Sequence, residues 1–116
     1  MLFHIVLFRP RADLAPADQA GLVEALETAL RRIPSIRRFH VGRRVRLGTR
    51  YEASMTTDLE YAAVIEFDDL AGLQAYLAHP AHDSLGARFM QSLESSAIYD
   101  YEMQDGIGLG PLPIPD

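Results

Sequence analysis

A short stretch in the second half of the chain carries the side chains best suited to chemistry. The segment YLAHPAHDSL, residues 76–85, places a tyrosine and two histidines around one proline. A neutral imidazole can accept a proton near neutral pH, and a phenol can donate a hydrogen bond to a developing oxyanion. These residue types suit acid–base chemistry, and one hypothesis is that His82 removes a proton next to a carbonyl group while Tyr76 donates a hydrogen bond to the enolate.

Pro80 predicts a corner in this stretch. Proline ends the helix that precedes it and fits the first turn of the next one, so we expect helices over residues 68–79 and 80–93. His82 then lies in the first turn of the second helix, where the positive end of the helix dipole favours a neutral imidazole. The alternative is that Tyr76 and His82 are structural members of the corner.

Four further residues are candidates for contact with a substrate. His79 is expected to cap the corner, and it is also a candidate substrate-binding residue. His4 lies within an apolar strand; it lines a pocket with His82 if its face looks at the helices, and it is otherwise a core residue. Tyr61 and Phe67 are candidate pocket walls, with core packing as the alternative for each.

The sequence lacks the patterns of several other active sites. His79 and His82 are three positions apart, but the proline between them keeps them off one helical face, and no C-x-x-C or H-E-x-x-H pattern is present. This argues against zinc, whereas magnesium held by carboxylates remains open. GIGLG has no helix after it, so it forms no phosphate loop, and no elbow motif supports a serine triad. We therefore expect neither a metal site nor an organic cofactor.

Composition narrows the class of protein. The chain has 116 residues, 48% of them hydrophobic, with a net charge of −5 and no cysteine. A negative charge argues against nucleic-acid binding, although seven arginines between Arg31 and Arg46 could face an anion or simply form a solvated surface. The apolar N-terminus is shorter than the ~20 residues of a membrane span and has no signal-peptide pattern. We expect a cytoplasmic protein without membrane contact.

Apolar periodicity predicts an α+β domain. The predicted strands cover residues 2–8, 36–47, 61–67 and 95–103, and a first helix covers 16–32. Gly42 predicts a bulge or a close backbone approach in the second strand, and residues 48–58 predict a polar connection. With the paired helices 68–79 and 80–93, this order is the ferredoxin-like βαββαβ pattern, an antiparallel four-stranded sheet with helices on one face. We expect this domain over residues 1–103 and a Gly/Pro-rich tail over 104–116.

The predicted strands are apolar on both faces, although helices can cover only one. The first strand presents Phe3, Ile5 and Leu7 on one face and His4, Val6 and Phe8 on the other. A bare apolar face of this size is unusual on a soluble monomer. The pattern therefore predicts a homodimer that packs sheet against sheet.

Five stretches, in this order, resemble the stress-responsive A/B barrel domain family of the dimeric α/β barrel superfamily. They are HIVLFRP at 4–10, IPSI at 33–36, VGRR at 41–44, AVIEFDDLAGLQAYLAHPAH at 63–82 and IYDYE at 98–102. The resemblance covers about residues 3–102. It implies a ferredoxin-like fold, a homodimer, and a small apolar pocket between sheet and helices in each subunit.

The resemblance also implies candidate functions. One branch of the family, a plant polyketide cyclase, closes an aromatic ring by an aldol step without metal or organic cofactor. The tyrosine and second histidine of its Y-x-x-H-P-x-H element match Tyr76 and His82, while another member has been seen with magnesium. Cofactor-free cyclase-like chemistry is thus the leading expectation. The alternatives are a non-catalytic binding or stress-protection protein and a cofactor-free monooxygenase, whose chemistry often uses the tryptophan that this chain lacks.

Overall fold

The structure is a computed structural model that describes residues 1–104 together with Gly106, Gly110 and Pro111. Most of the predicted tail over 104–116 therefore lies outside the described residues. The described residues form four strands, which are β1 (Leu2–Pro10), β2 (Arg38–Arg43), β3 (Tyr61–Phe67) and β4 (Leu93–Glu102). They also form four helices, which are α1 (Pro16–Arg32), α2 (Arg50–Ala53), α3 (Leu70–Ala78) and α4 (Pro80–Ser92).

The strands form one antiparallel sheet in the order β2-β3-β1-β4. The central strands are β1 and β3: β1 pairs with β3 and β4, and β3 pairs with β1 and β2. This is the predicted ferredoxin-like arrangement, and the α+β fold class is confirmed. The two edge strands are β2 and β4, so every cross-strand pair around β1 brings together residues that are far apart in sequence.

Side-chain alternation along β1 separates a helix-covered face from an uncovered one. Leu2, His4, Val6 and Phe8 are buried, whereas the residues between them remain partly exposed. The buried set packs with apolar residues of α1, α3 and α4 in the core. The uncovered surface, termed the outer face, consists of Phe3, Ile5, Leu7, Ala62, Val64, Ala97, Tyr99 and Tyr101.

Two details of the middle of the chain differ from the sequence prediction. The second strand is shorter than predicted, Arg38–Arg43, and its pairing with β3 passes through Gly42 without a register shift. A Cβ built at Gly42 would meet no atom within 4 Å, so both the predicted bulge and the alternative of a close backbone approach are wrong. The register shift of this sheet lies instead between Arg9 and Pro10, where β1 meets β4. Proline cannot donate a ladder hydrogen bond, which explains an irregularity at that end of the strand.

The polar connection over residues 48–58 contains a short helix, α2, that was not predicted. Thr49 accepts a hydrogen bond from the backbone N–H of Glu52, and the Glu52 carboxylate accepts one from the N–H of Thr49. This reciprocal capping box starts the helix. The pattern Thr-x-x-Glu was visible in the sequence and is the signal that could have found it.

Part of the arginine cluster is occupied by ion pairs with acids. Arg44 and Arg46 donate to the two oxygens of Asp58 at 2.7 and 2.5 Å, and Arg37 lies 2.8 Å from Asp68. These contacts favour the interpretation of a solvated, internally paired surface over that of an open anion site.

The predicted corner at Pro80 joins α3 to α4. The Asp69 side chain accepts a hydrogen bond from the N–H of Gly72 and starts α3. His79 has an extended backbone and serves both as the last cap of α3 and as the first cap of α4. Its Nδ1 accepts a hydrogen bond of 3.0 Å from the N–H of Ala81, so the corner directs the first turn of α4 back towards the sheet.

Candidate functional site

A cavity of about 160 Å³, termed the sheet–helix cavity, lies between the sheet and the helices. Its polar lining comes mainly from His4, Tyr76 and His82, while the rest of its wall is largely apolar. The apolar part includes Val6, Leu26, Phe39, Ala63, Ile65, Leu85, Phe89, Met90 and Ile98. An apolar chamber with a few converging polar groups is the usual form of a small-molecule site.

His4 reaches the cavity from the central strand and is held by the neighbouring edge strand. The register of β1 and β4 sets His4 directly opposite Asp100, and the His4 Nδ1 lies 2.5 Å from the Asp100 Oδ1. An ionised carboxylate only accepts hydrogen bonds, so Nδ1 of His4 carries the donated proton. The His4 ring is buried, whereas 43% of the Asp100 side chain is exposed. Asp100 therefore fixes the His4 ring and leaves Nε2 as the free nitrogen.

Tyr76 lies between the two histidines. Its ring centroid is 5.5 Å from that of His4 and 4.7 Å from that of His82, with tilted or edge-on geometry. Only 2% of the residue is exposed, and burial, followed by the negative charge of Asp100, raises the pKa of Tyr76 to about 12. The phenol therefore keeps its proton at physiological pH and can serve as a hydrogen-bond donor.

His82 projects from the first turn of α4 and is half-buried. Burial lowers the pKa of its imidazole, and the electrostatic effect of the nearby His4 lowers it further; Asp83 and the backbone of Leu77 act in the opposite direction. The net effect keeps His82 neutral near pH 7. A neutral imidazole beside an apolar chamber has the protonation state that a general base needs.

The remaining predicted contact residues lie around the cavity rather than in its lining. His79 borders an open groove between α1 and α4 on the other side of the helices. Its ring is engaged as the cap of α4, in keeping with the structural alternative. Tyr61 stacks on Phe8 at a centroid distance of 5.6 Å, and Phe67 is fully buried against Tyr76. Phe67 thus supports the tyrosine from behind, and Tyr61 packs at the other end of the sheet.

Asp100 is the site residue that sequence reasoning missed. Its assignment depends on the pairing of β1 with β4, which joins residues 96 positions apart. The alternation of IYDYE did indicate that Asp100 lies opposite the tyrosines of its strand. A carboxylate on the helix-facing side of an apolar strand was the available signal, because such a group needs a partner.

In the described part of the chain, no group of three or more histidine, aspartate or glutamate side chains is arranged to hold a metal ion. None of the helices described is both long enough and apolar enough to cross a bilayer.

Comparison with known families gives one match along nearly the whole domain. The family model for the stress responsive A/B barrel domain matches residues 2–103. The chain belongs to this family. No curated protein matches it closely enough to be counted as a relative.

Solved structures share the fold of this A/B barrel domain at low sequence identity. A dimeric ferredoxin-like protein of unknown function from Bacteroides fragilis is 28% identical, with a TM-score of 0.61 over 88% of this chain and 95% of its own. A hydroxynitrile lyase from Passiflora edulis is 13% identical, with a TM-score of 0.74 over 90% and 94%. SnoaB, a cofactor-independent oxygenase from Streptomyces nogalater, is 15% identical, with a TM-score of 0.65 over 92% and 96%. The similarity of these two enzymes to this chain therefore concerns the fold and does not extend to their reactions.

Proposed function

We propose that this A/B barrel domain protein is a homodimer in which each sheet–helix cavity binds a small apolar carbonyl compound and moves a proton on it without a cofactor. One observation carries the proposal: Asp100, His4, Tyr76 and His82 form a continuous series of contacts at one apolar cavity. A corner with a purely structural role would require Tyr76 and His82, but it would not require His4 and Asp100. The buried histidine held by a carboxylate on the opposite wall gives the cavity a second proton-handling group.

The proposed step begins at His82. Its neutral imidazole takes a proton from the carbon next to the substrate carbonyl, and the electron pair of that C–H bond moves to the carbonyl oxygen as an enolate. The Tyr76 hydroxyl donates a hydrogen bond to this oxygen. The protonated His82 then returns a proton to the carbon, which completes the exchange. In the aldol reaction the carbon instead attacks a second carbonyl group, whose oxygen takes up the proton from His82. A polyketide-type ring closure is one form of this chemistry.

His4 has a positioning role in this proposal. Asp100 holds its Nδ1, so the ring cannot turn away from Tyr76. Its free Nε2 is available to the substrate or to the tyrosine hydroxyl. A histidine oriented by a carboxylate is a common way to fix one tautomer at a site of proton transfer.

The homodimer in this proposal is supported by the outer face. Among the residues that the structure describes, no helix covers the half-exposed apolar side chains of β1, β3 and β4 there, and Tyr99 and Tyr101 are 55% and 49% exposed. The Bacteroides fragilis relative is described as dimeric, which agrees with this inference. A twofold contact between two such faces would remove the uncovered apolar surface from water. A cytoplasmic location belongs to the same proposal, since the chain has no cysteine.

The test of the chemistry is hydrogen–deuterium exchange at carbon. The protein is incubated in D₂O with a panel of neutral ketones carrying one to three rings, and loss of the α-proton signal is followed by NMR. We expect His82→Gln to slow the exchange by about 10²–10⁴-fold and Tyr76→Phe by about 10²–10³-fold. His40→Gln is the matched control, because His40 is an exposed histidine of β2 outside the cavity lining. Exchange that persists undiminished in His82→Gln would overturn the proposed role of this residue.

One observation favours a second candidate function, a binding protein without catalysis. Tyr76 also belongs to the buried core, where it packs against Phe67 at 5.2 Å. In that case, Tyr76→Phe would leave ligand affinity within about twofold, and no ketone of the panel would exchange faster than in buffer.

A further inference from the structure

We propose that the ligand of the sheet–helix cavity is a neutral carbonyl compound with the bulk of a single six-membered ring, and that Gly86 sets this size limit. The inference rests on the proposed function, since it names the substrate class for the same site. It follows from the volume of the chamber, from the charges around it and from the missing side chain on α4.

The volume fits one ring. The cavity measures about 160 Å³. An apolar cavity of about 150 Å³ in another protein accommodates benzene, whereas pockets for drug-sized molecules span about 300–1,000 Å³. A cyclic or aryl ketone with one ring therefore fills the chamber, and a fused two-ring ketone exceeds it.

The lining selects a neutral molecule. Among the described residues, no lysine or arginine contributes to the cavity wall. A carboxylate or phosphate entering this largely apolar chamber would lose its hydration without meeting a permanent cation, which is costly. The carbonyl oxygen accepts a hydrogen bond from the Tyr76 hydroxyl, and the ring lies against the apolar wall.

Gly86 controls the depth of the chamber. It lies in α4 on the cavity wall, and a Cβ built at this position meets no atom within 4 Å. The backbone of α4 therefore borders open space there, and each carbon added to residue 86 reduces the chamber. Alanine is the better helix former, so Gly86→Ala is expected to fold without difficulty.

The ligand reaches the chamber between α4 and the edge strand β4. Met90 and Ile98 both line the cavity, yet they are 78% and 53% exposed. They therefore mark where the chamber meets solvent. A ligand with a second ring would have to leave that ring in this opening, away from the buried histidine and tyrosine.

The test compares dissociation constants of four probes by NMR titration of the intact protein. Cyclohexanone and acetophenone are single-ring ketones, 2-acetonaphthone adds a second fused ring, and benzoate replaces the ketone by a carboxylate. We expect the two single-ring ketones to bind at least tenfold more tightly than the other two probes. Equal or tighter binding of 2-acetonaphthone or benzoate would overturn the inference, and so would the absence of binding by every probe.

Substitutions at Gly86 supply the structural control. Gly86→Ala should weaken acetophenone more than cyclohexanone, and Gly86→Val should weaken both at least tenfold. Ala87→Val is the matched control, because Ala87 is exposed on the same helix and borders the groove beside α1. Unchanged affinities in Gly86→Val would contradict the size limit.

The outcome separates this inference from the proposed reaction. Single-ring ketones that bind without α-proton exchange would support the ligand class and count against the chemistry. Exchange confined to two- or three-ring ketones would support the chemistry and overturn the ligand class.

Discussion

At the scale of single residues, the site combines groups whose protonation states are set by different causes. Burial and the carboxylate of Asp100 keep the Tyr76 phenol protonated, and burial together with His4 keeps the His82 imidazole neutral. A donor and an acceptor thus coexist at neutral pH within 4.7 Å, measured between ring centroids. Paired groups whose environments stabilise opposite proton-transfer roles are a recurring feature of acid–base sites.

The lowered pKa of His82 predicts a pH-dependent free energy of unfolding. In the unfolded chain the imidazole titrates near its usual pKa of 6.5, and in the folded protein it titrates below that value. As the pH falls below 6.5, the unfolded state therefore binds more protons than the folded state, and stability is lost until the folded pKa is passed. Urea unfolding between pH 7.5 and pH 4.5, compared with His82→Gln, measures this contribution.

We expect the wild type to lose more stability than His82→Gln on acidification through that window. Parallel curves for the two proteins would show that folding does not perturb the titration of His82. His79→Asn serves as a second comparison, since it removes a different histidine while keeping a side-chain acceptor at the cap.

The sequence identified part of this residue cluster. Tyr76 and His82 were recognised from their spacing around Pro80, and the same-face relation of His4 with Val6 and Phe8 followed from strand alternation. Asp100 was missed because strand register is a property of the folded sheet. Sequence periodicity gives the face on which a residue lies, but not its partner on the next strand.

At the scale of elements, the corner between α3 and α4 aligns the site. His79 ends one helix and caps the next, and Pro80 fixes the first turn of α4, which carries His82. The helix pair and the strands of the βαββαβ order were predictable, because proline and apolar periodicity act locally. The Thr-x-x-Glu pattern that starts α2 was present but was not used for the prediction. The short extent of β2 was not predicted, because the apolar alternation continues to Val45 and Leu47, which are exposed beyond the end of the strand.

The corner gives a prediction about stability. His79→Ala removes the acceptor for the Ala81 N–H, and loss of a helix cap typically costs about 0.5–2 kcal/mol. His79→Asn restores a side-chain acceptor and should recover most of that loss. Chemical denaturation of the three proteins at pH 7.5 measures the effect. Equal stability of His79→Ala and wild type would show that water replaces the cap without cost.

At the scale of the whole molecule, the two faces of the sheet have different surroundings. Its helix-facing side holds the buried core and the cavity, while the outer face has no cover within the described part of the chain. The alternation of apolar residues predicted two covered faces, and the fold supplies helices for only one. Because the outer face is apolar and uncovered, we expect a second copy of the chain to pack against it.

The dimer is tested by placing a charge at the centre of the outer face. Val64 pairs with Ile5 and with His40 across the sheet, so Val64→Arg would bring two unpaired charges into a twofold contact. We expect sedimentation velocity to give a dimer for the wild type and a monomer for Val64→Arg. Val23→Arg, at an exposed valine of α1, is the matched control and should remain dimeric. A monomeric wild type at micromolar concentration would contradict the proposed assembly.

The paired tyrosines of β4 provide a natural spectroscopic probe. The chain contains five tyrosines and no tryptophan, so its near-ultraviolet emission arises from phenol rings alone. Tyr99 and Tyr101 stack at a centroid distance of 6.1 Å with 30° between their planes, on the surface where we expect the second subunit. Dilution through the dissociation constant would transfer both rings to water together. Intrinsic fluorescence can therefore report subunit dissociation in real time, without any attached dye.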